Sequence, residues 1–356
     1  MRKHPILFLA IAAALSVCCC FIAPARAADE SYNIDSFIEQ ATDWTARLKT
    51  GERPGAYSYM PHMPRPDLYG CTDMFYLFYT LDMLELSDRE RRSWVLLIQK
   101  FQEKDGWFGG NVTLHGREHA TAYAVGALKL LGAQPHYSLA FKENYDSREE
   151  IGEMLEGLPW NVIWSGSHIG SGIASALINT GSVGEEWTAD YFDWLDSRAD
   201  PATGYWMQRN DGSRKETATR DELGGAFHFY YIYTYLDHPL PYPERIIDTT
   251  ISLQQENGLY HGDVPYCIDL DGVFSIIEAY KQTDGYRTED VKASIEKTLA
   301  AIVTRLNDPE FVNKHYIDSH KLVGAVAALA EIQAFMPEKL DTPKPLKSIL
   351  EDSPFI

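Results

Sequence analysis

Turn punctuation returns along this chain about every fifty residues. It reads "GERPGAY" at 51, "EKDGWFGG" at 103, "EGLPW" at 156, "DPATGYW" at 200, "QENGLY" at 255 and "NDPEF" at 307. With Gly51, Gly106, Gly157, Gly204, Gly258 and Asp308 as markers, the intervals are 55, 51, 47, 54 and 50 residues. Self-similarity at such a period is the signature of a repeat architecture, in which each unit buries its apolar face against its neighbours.

Every copy has the same internal order. A stretch with a mixed polar surface, such as "RRSWVLLIQKFQEKDG", leads into the turn, and a second stretch follows that is small and apolar nearly all round. These second stretches are "CTDMFYLFYTLDML", "HATAYAVGALKLLG", "SHIGSGIASALINTG", "DELGGAFHFYYIYTYL", "CIDLDGVFSIIEAY" and "DSHKLVGAVAALAEI". A helix apolar on most faces is buried, whereas one with a polar outer face is not. The economical solution is an all-α fold, an α/α toroid with six inner helices inside six outer ones; an open solenoid is the alternative. "IDSFIEQATDWTARL" at 34–48 adds a possible seventh pair, and the Pro-rich tail 341–356 reads as a surface segment.

Residues 1–27 read as a secretory signal, with Arg2 and Lys3, an apolar run from Ile6 to Ile22 and Ala25-Arg26-Ala27 before the cleavage point. Residues 28–340 would then be a single exported toroid domain. "LSVC" at 15–18 lacks the small residue a lipoprotein box needs, and no later apolar run reaches the roughly 18 residues of a membrane span. Removing the signal takes the net charge from −19 to −22, a field that argues against nucleic acid and anionic membranes as partners. Of five cysteines only Cys71 and Cys267 remain, too few for a disulfide framework and without a zinc-binding spacing. They precede non-adjacent inner helices and read as free thiols. "DLDG" at 269 lacks the remaining ligands of an EF-hand loop, so neither a metal nor another cofactor is expected.

"Q-x-x-DGWFGG" at 102–110, followed by "TAYAVGALKLLG", resembles the repeat of the terpenoid-cyclase and prenyltransferase toroids, over roughly residues 50–336. One fold hosts many chemistries, and the cyclases' Asp-rich catalytic motif has no counterpart here. In size, signal and aromatic-rich mouth the chain is more similar to the secreted toroid polysaccharide lyases, including the glucuronan and alginate lyases of polysaccharide lyase family thirty-eight. That likeness is architectural and rests on no aligned motif.

If the inner helices run parallel, their N-termini collect at one mouth. There the sequence places Asp73; His115, Arg117, Glu118 and His119; Ser165, Ser167 and His168; Arg220, Asp221 and Glu222; His261, Tyr266, Asp269 and Asp271; and Asp318 and His320. Capping explains one acid per helix start, but it leaves the histidines, arginines and aromatics without a reason. His228 lies seven residues after Asp221, on one helical face with Gly224 and Gly225 between them. His168 enters a helix whose next turn is all small residues, so its ring should face open space. Arg117 and His119 are placed to grip a carboxylate, against the alternative of a surface pair between Arg117 and Glu118. Tyr260, His261 and Tyr266 flank the fifth inner helix, and Trp107, Trp164 and Trp206 occupy loop positions suited to stacking on sugar faces.

The leading expectation is β-elimination on a uronic-acid polysaccharide. The lyase resemblance implies His168 or His228 as base and Tyr266 or Tyr260 as acid, with Arg117 or Arg220 and His119 neutralising the uronate. Six inward helix N-termini would add positive potential at the mouth. The alternatives are glycoside hydrolysis by a carboxylate pair drawn from Asp73, Asp221, Glu222, Asp269 and Asp271, and a non-catalytic carbohydrate-binding toroid.

Overall fold

The computed structural model describes residues 31–109 and 115–356, so the expected signal sequence lies outside the described residues. The inner helices are α2 (Leu68–Thr80), α4 (Gly116–Leu130), α6 (Ile163–Asn179), α8 (Arg220–Tyr235), α10 (Cys267–Lys281) and α13 (His320–Phe335). Outside them lie α1 (Asp35–Ala46), α3 (Asp88–Gln99), α5 (Arg148–Glu156), α7 (Glu185–Asp196), α9 (Pro243–Leu253) and α11 (Thr288–Leu306). A short α12 (Pro309–His315) links α11 to α13. Each inner helix packs on the next, and α13 returns onto α2, so the ring is closed and the fold is an α/α toroid.

Burial follows the amphipathicity read from the sequence. From Glu222 to Tyr233 and from Ile268 to Ala279 every residue of α8 and α10 is buried, whereas α5 buries only Ile151 and Leu155. Small residues set the spacing between inner helices. A Cβ on Gly324 would stand 2.5 Å from the Cys267 backbone nitrogen, and one on Gly172 would stand 2.8 Å from the Glu118 carbonyl carbon. Helix pairs in such contact have no room for a methyl group.

The recurring turn has its own physical basis. Gly106 and Gly258 adopt φ of 97° and 88°, which other residues rarely take. Four residues earlier a glutamine locks each turn to the following hairpin: Gln102 Nε2 donates to the Gly106 and Tyr137 carbonyls, and Gln254 Nε2 to those of Gly258 and Ser294. The glutamine of the repeat motif is therefore a structural tie.

Two expectations need correction. The segment 34–48 forms no seventh pair: α1 is the outer helix of the first hairpin, and it closes the outer ring. Gln40 Nε2 donates to the Leu306 carbonyl (3.0 Å) and Trp44 Nε1 to that of Tyr316 (3.1 Å), while strand β1 (Tyr32–Asn33) pairs in parallel with β2 (Leu340–Asp341). Nor is the tail a surface segment. The Lys347 amide donates to the Thr80 carbonyl at the C-terminal end of α2, and Ser353 accepts from Asn179 at the end of α6. Phe355 is fully buried, its ring 5.0 Å from that of His119 and 5.7 Å from that of Tyr231. Six helices closed in a ring leave an axial hollow, and Phe355 enters it against His119, Tyr123 and Tyr231, while Ile349 and Leu350 are also buried. Cys71 and Cys267 are both free thiols. Among the described residues no helix is long and apolar enough to cross a membrane.

Candidate active site at the toroid mouth

Above the Phe355 plug the ring encloses a cavity of about 180 Å³, lined by residues of five inner helices together with Ile356. His115 and His119 come from α4 and its cap, Trp164 and His168 from α6, Phe227 and His228 from α8, Cys267 and Asp271 from α10, and His320 from α13. The small residues of α6 make this convergence possible, because the close approach of Gly172 to Glu118 sets His168 beside His119.

Five imidazoles therefore meet. Ring centroids are 4.6 Å apart for His115 and His119, 4.9 Å for His115 and His168, 4.8 Å for His119 and His168, 4.6 Å for His168 and His228, and 5.3 Å for His115 and His320. Three rings are oriented by side-chain partners. Tyr69 Oη lies 2.9 Å from His119 Nδ1, and His320 Nδ1 donates to Asp73 (2.9 Å). Asp73 also accepts from Tyr123 Oη (2.7 Å) and from Ser319 Oγ, so the carboxylate is fully engaged. Ser167 Oγ is 2.7 Å from His228 Nδ1 and donates its single proton to the Trp164 carbonyl (2.9 Å). His228 is thus the donor to Ser167, and its Nε2 is left as an acceptor.

Burial and mutual repulsion keep most of these rings neutral. Burial first, then the neighbouring His320, lowers His115 to about 4; burial, then His115, lowers His228 to about 3. His119 and His168 are pushed well below the usual imidazole range by burial and by the other rings. His320 goes the other way: burial opposes its charged form, but the Asp73 carboxylate outweighs this and raises it.

Asp271 lines the same cavity. It is fully buried, and neither carboxyl oxygen has a hydrogen-bond partner among the described residues. Burial, reinforced by the charge of Asp269, holds its pKa well above the carboxylate range, which favours the protonated form. Cys267 lies one turn earlier, and burial likewise keeps it a thiol rather than a thiolate.

The other residues singled out from the sequence divide into rim, caps and core. Tyr266 stands at the rim, its ring 6.2 Å from Trp164 and its hydroxyl 2.9 Å from His261 Nδ1. Arg220 begins α8 beside that hydroxyl and helps moderate its pKa, which burial pushes up to about 12. Tyr260 is not in the cavity. Its ring packs where a Gly272 side chain would be, and its hydroxyl is buried in the core. Asp221 accepts from the Ile163 amide (2.8 Å), and Glu222 pairs with Lys215 (2.5 Å) while capping α8, so both are structural. Asp269 accepts from the amides of Tyr260 (2.8 Å) and Tyr266 (2.9 Å), fixing the loop before α10. Arg117 pairs with Glu118 (3.2 Å) and lies over Trp107, away from the cavity. Trp107 stacks on Phe141 at 3.7 Å, and Trp206, fully buried, donates to the Leu195 carbonyl. Of the three tryptophans only Trp164 faces the cavity.

The sequence places His115 and His320 at the mouth without a chemical role, and Asp271 only as one of five candidates for a hydrolytic carboxylate pair. A signal for the first was present: His115 and His119 are spaced i, i+4 across the start of a helix, which sets both on one face.

No protein-family model and no curated protein sequence matches this chain. Among solved structures it is similar to a type II terpene cyclase from Scytonema in complex with merosterolic acid A, with 11% identity over 86% of this chain and 98% of that one and a TM-score of 0.47. At that distance the similarity assigns no activity.

Proposed function

We propose that the protein is an exported enzyme that cleaves a uronic-acid polysaccharide by β-elimination, with the histidine cavity as its catalytic centre. The observation that carries this reading is the convergence of five imidazoles and one unpartnered, protonated carboxyl on a single cavity. Elimination needs a base and an acid on one sugar ring. His228 Nε2 or the adjacent His168 takes the C5 proton; the C5–H electrons form the C4–C5 double bond; the C4–O4 bond breaks, and the leaving oxygen takes the Asp271 proton. The acid role expected for Tyr260 or Tyr266 thereby passes to Asp271. Trp164, Tyr266, His261 and Arg220 form a rim with the amphipathic and cationic groups that suit a carboxylated sugar.

Hydrolysis by paired carboxylates is the weaker reading. It requires two carboxyl groups free to act across one bond. Asp73, Asp221, Glu222 and Asp269 are all committed to hydrogen bonds that hold the fold, which leaves Asp271 alone. Incubation of the protein lacking residues 1–27 with polymannuronate, polyguluronate, glucuronan and pectate tests the choice. Ultraviolet-absorbing unsaturated ends are expected with at least one of them. New reducing ends without that absorbance would overturn elimination, and absence of both signals across the panel would overturn catalysis on these polymers.

A further inference from the structure

Among the described residues that line the cavity there is no arginine or lysine, although a uronate carboxylate entering it has to be neutralised before the C5 proton becomes acidic. Three of its imidazoles supply an answer. His115, His119 and His320 each present a ring nitrogen, and these nitrogens all lie within 4.8 Å of one another. We propose that these three histidines bind one divalent transition cation of the zinc class, with an open coordination position facing His168, His228 and Asp271.

The donor set suits such an ion. Neutral imidazole is a good ligand for zinc, and three histidines with one open position form a catalytic rather than a structural centre. Two ligands already have the outer partners that metal-bound histidines commonly have. Asp73 holds Nδ1 of His320 and Tyr69 holds Nδ1 of His119, so in each ring Nε2 remains for the metal. Asp73 is itself fixed by Tyr123 and Ser319, which orients the His320 ring. His115 has no hydrogen-bond partner for its imidazole among the described residues, and it belongs to the same helical face as His119. Zinc–nitrogen bonds of roughly 2.0–2.1 Å require the nitrogens to draw inside the 4.8 Å limit. The site stands on this geometry alone. The role of the ion, gripping the uronate carboxylate at its open position, rests on the elimination reading.

Titration calorimetry of Zn2+ into chelator-treated protein, with the visible spectrum of the Co2+ form, tests the site directly. One equivalent is expected to bind and to raise the melting temperature, and Co2+ is expected to show the intense bands of four-coordination. His115→Ala and His320→Ala should each weaken binding at least 100-fold, Asp73→Asn roughly 10- to 100-fold, and His228→Ala less than threefold. Melting of each chelated variant shows whether it remains folded, and if Asp73→Asn does not, the two ligand substitutions decide. Absence of stoichiometric binding, or binding that survives loss of His115 and His320, would overturn the site. Zinc binding without elimination would keep the site and refute the proposed reaction, and elimination unaffected by chelation would refute the role of the ion.

Discussion

Asp269 and Asp271 are two residues apart on α10, yet their environments separate them completely. Asp269 answers two backbone amides, whereas Asp271 has no hydrogen-bond partner among the described residues and lines the histidine cavity. Asp269→Ala should therefore lower stability by about 2–4 kcal/mol, since two buried amides lose a carboxylate acceptor. Asp271→Asn should raise the melting temperature by a few degrees and lower turnover at least about 100-fold, because folding no longer has to protonate a buried acid while the reaction loses its proton donor. Thermal melts and initial rates on the same two samples check both. The sequence showed that one acid would cap and left the second unexplained; side-chain rotation within one helical turn decides between them, and spacing does not encode it. Glu331 lies near the C-terminal end of α13, three turns beyond His320. Burial lifts its pKa to about 7, despite the hydrogen bond from Ser348 Oγ at 2.5 Å. Its folded-state pKa lies above the unfolded one, so between about pH 4.5 and 7 the native state binds the extra proton and stability falls as pH rises. In Glu331→Gln this decline should be smaller across that window, as measured by denaturant unfolding at several pH values; an unchanged slope would contradict the assignment.

At the scale of elements the repeat is written plainly and the plug is not. Apolar content all round marks the inner helices, and the glutamine-to-glycine spacing marks the turns at Gly106 and Gly258, because both depend on neighbours within one hairpin or the next. The tail reads as exterior because its prolines and charges prevent a regular element. Its burial depends on a hollow that exists only once six helices have closed. The tail also supports the site, since the Phe355 ring lies under His119 and Tyr123. Phe355→Ala should cost about 3–5 kcal/mol in chemical denaturation, the usual consequence of emptying a fully buried aromatic site. It should also lower turnover by loosening the floor on which His119 rests. A loss under 1 kcal/mol would show that the tail merely covers the ring. Helix-to-helix contact through Gly172 and Gly324 likewise emerges from the whole ring.

For the molecule as a whole, closure gathers groups that the chain scatters over two hundred residues. His115 and His320 become neighbours because α13 returns to α2 and α2 packs on α4, and no local pattern could have paired them. The same closure sends Arg117, Trp107, Trp206 and Tyr260 outward or into packing, which position relative to a helix start could not distinguish. A chain of strongly negative charge thus gathers in one cavity five imidazoles, most of them held neutral by burial, and a carboxyl whose pKa burial raises, with Arg220 at the rim. The most direct test of the catalytic role of this cavity is the rate of unsaturated-product formation by His168→Ala on the polyuronate that the wild-type protein cleaves best. A fall of at least about 100-fold, with the melting temperature within a few degrees of wild type, is predicted; a rate near that of the wild type would contradict it.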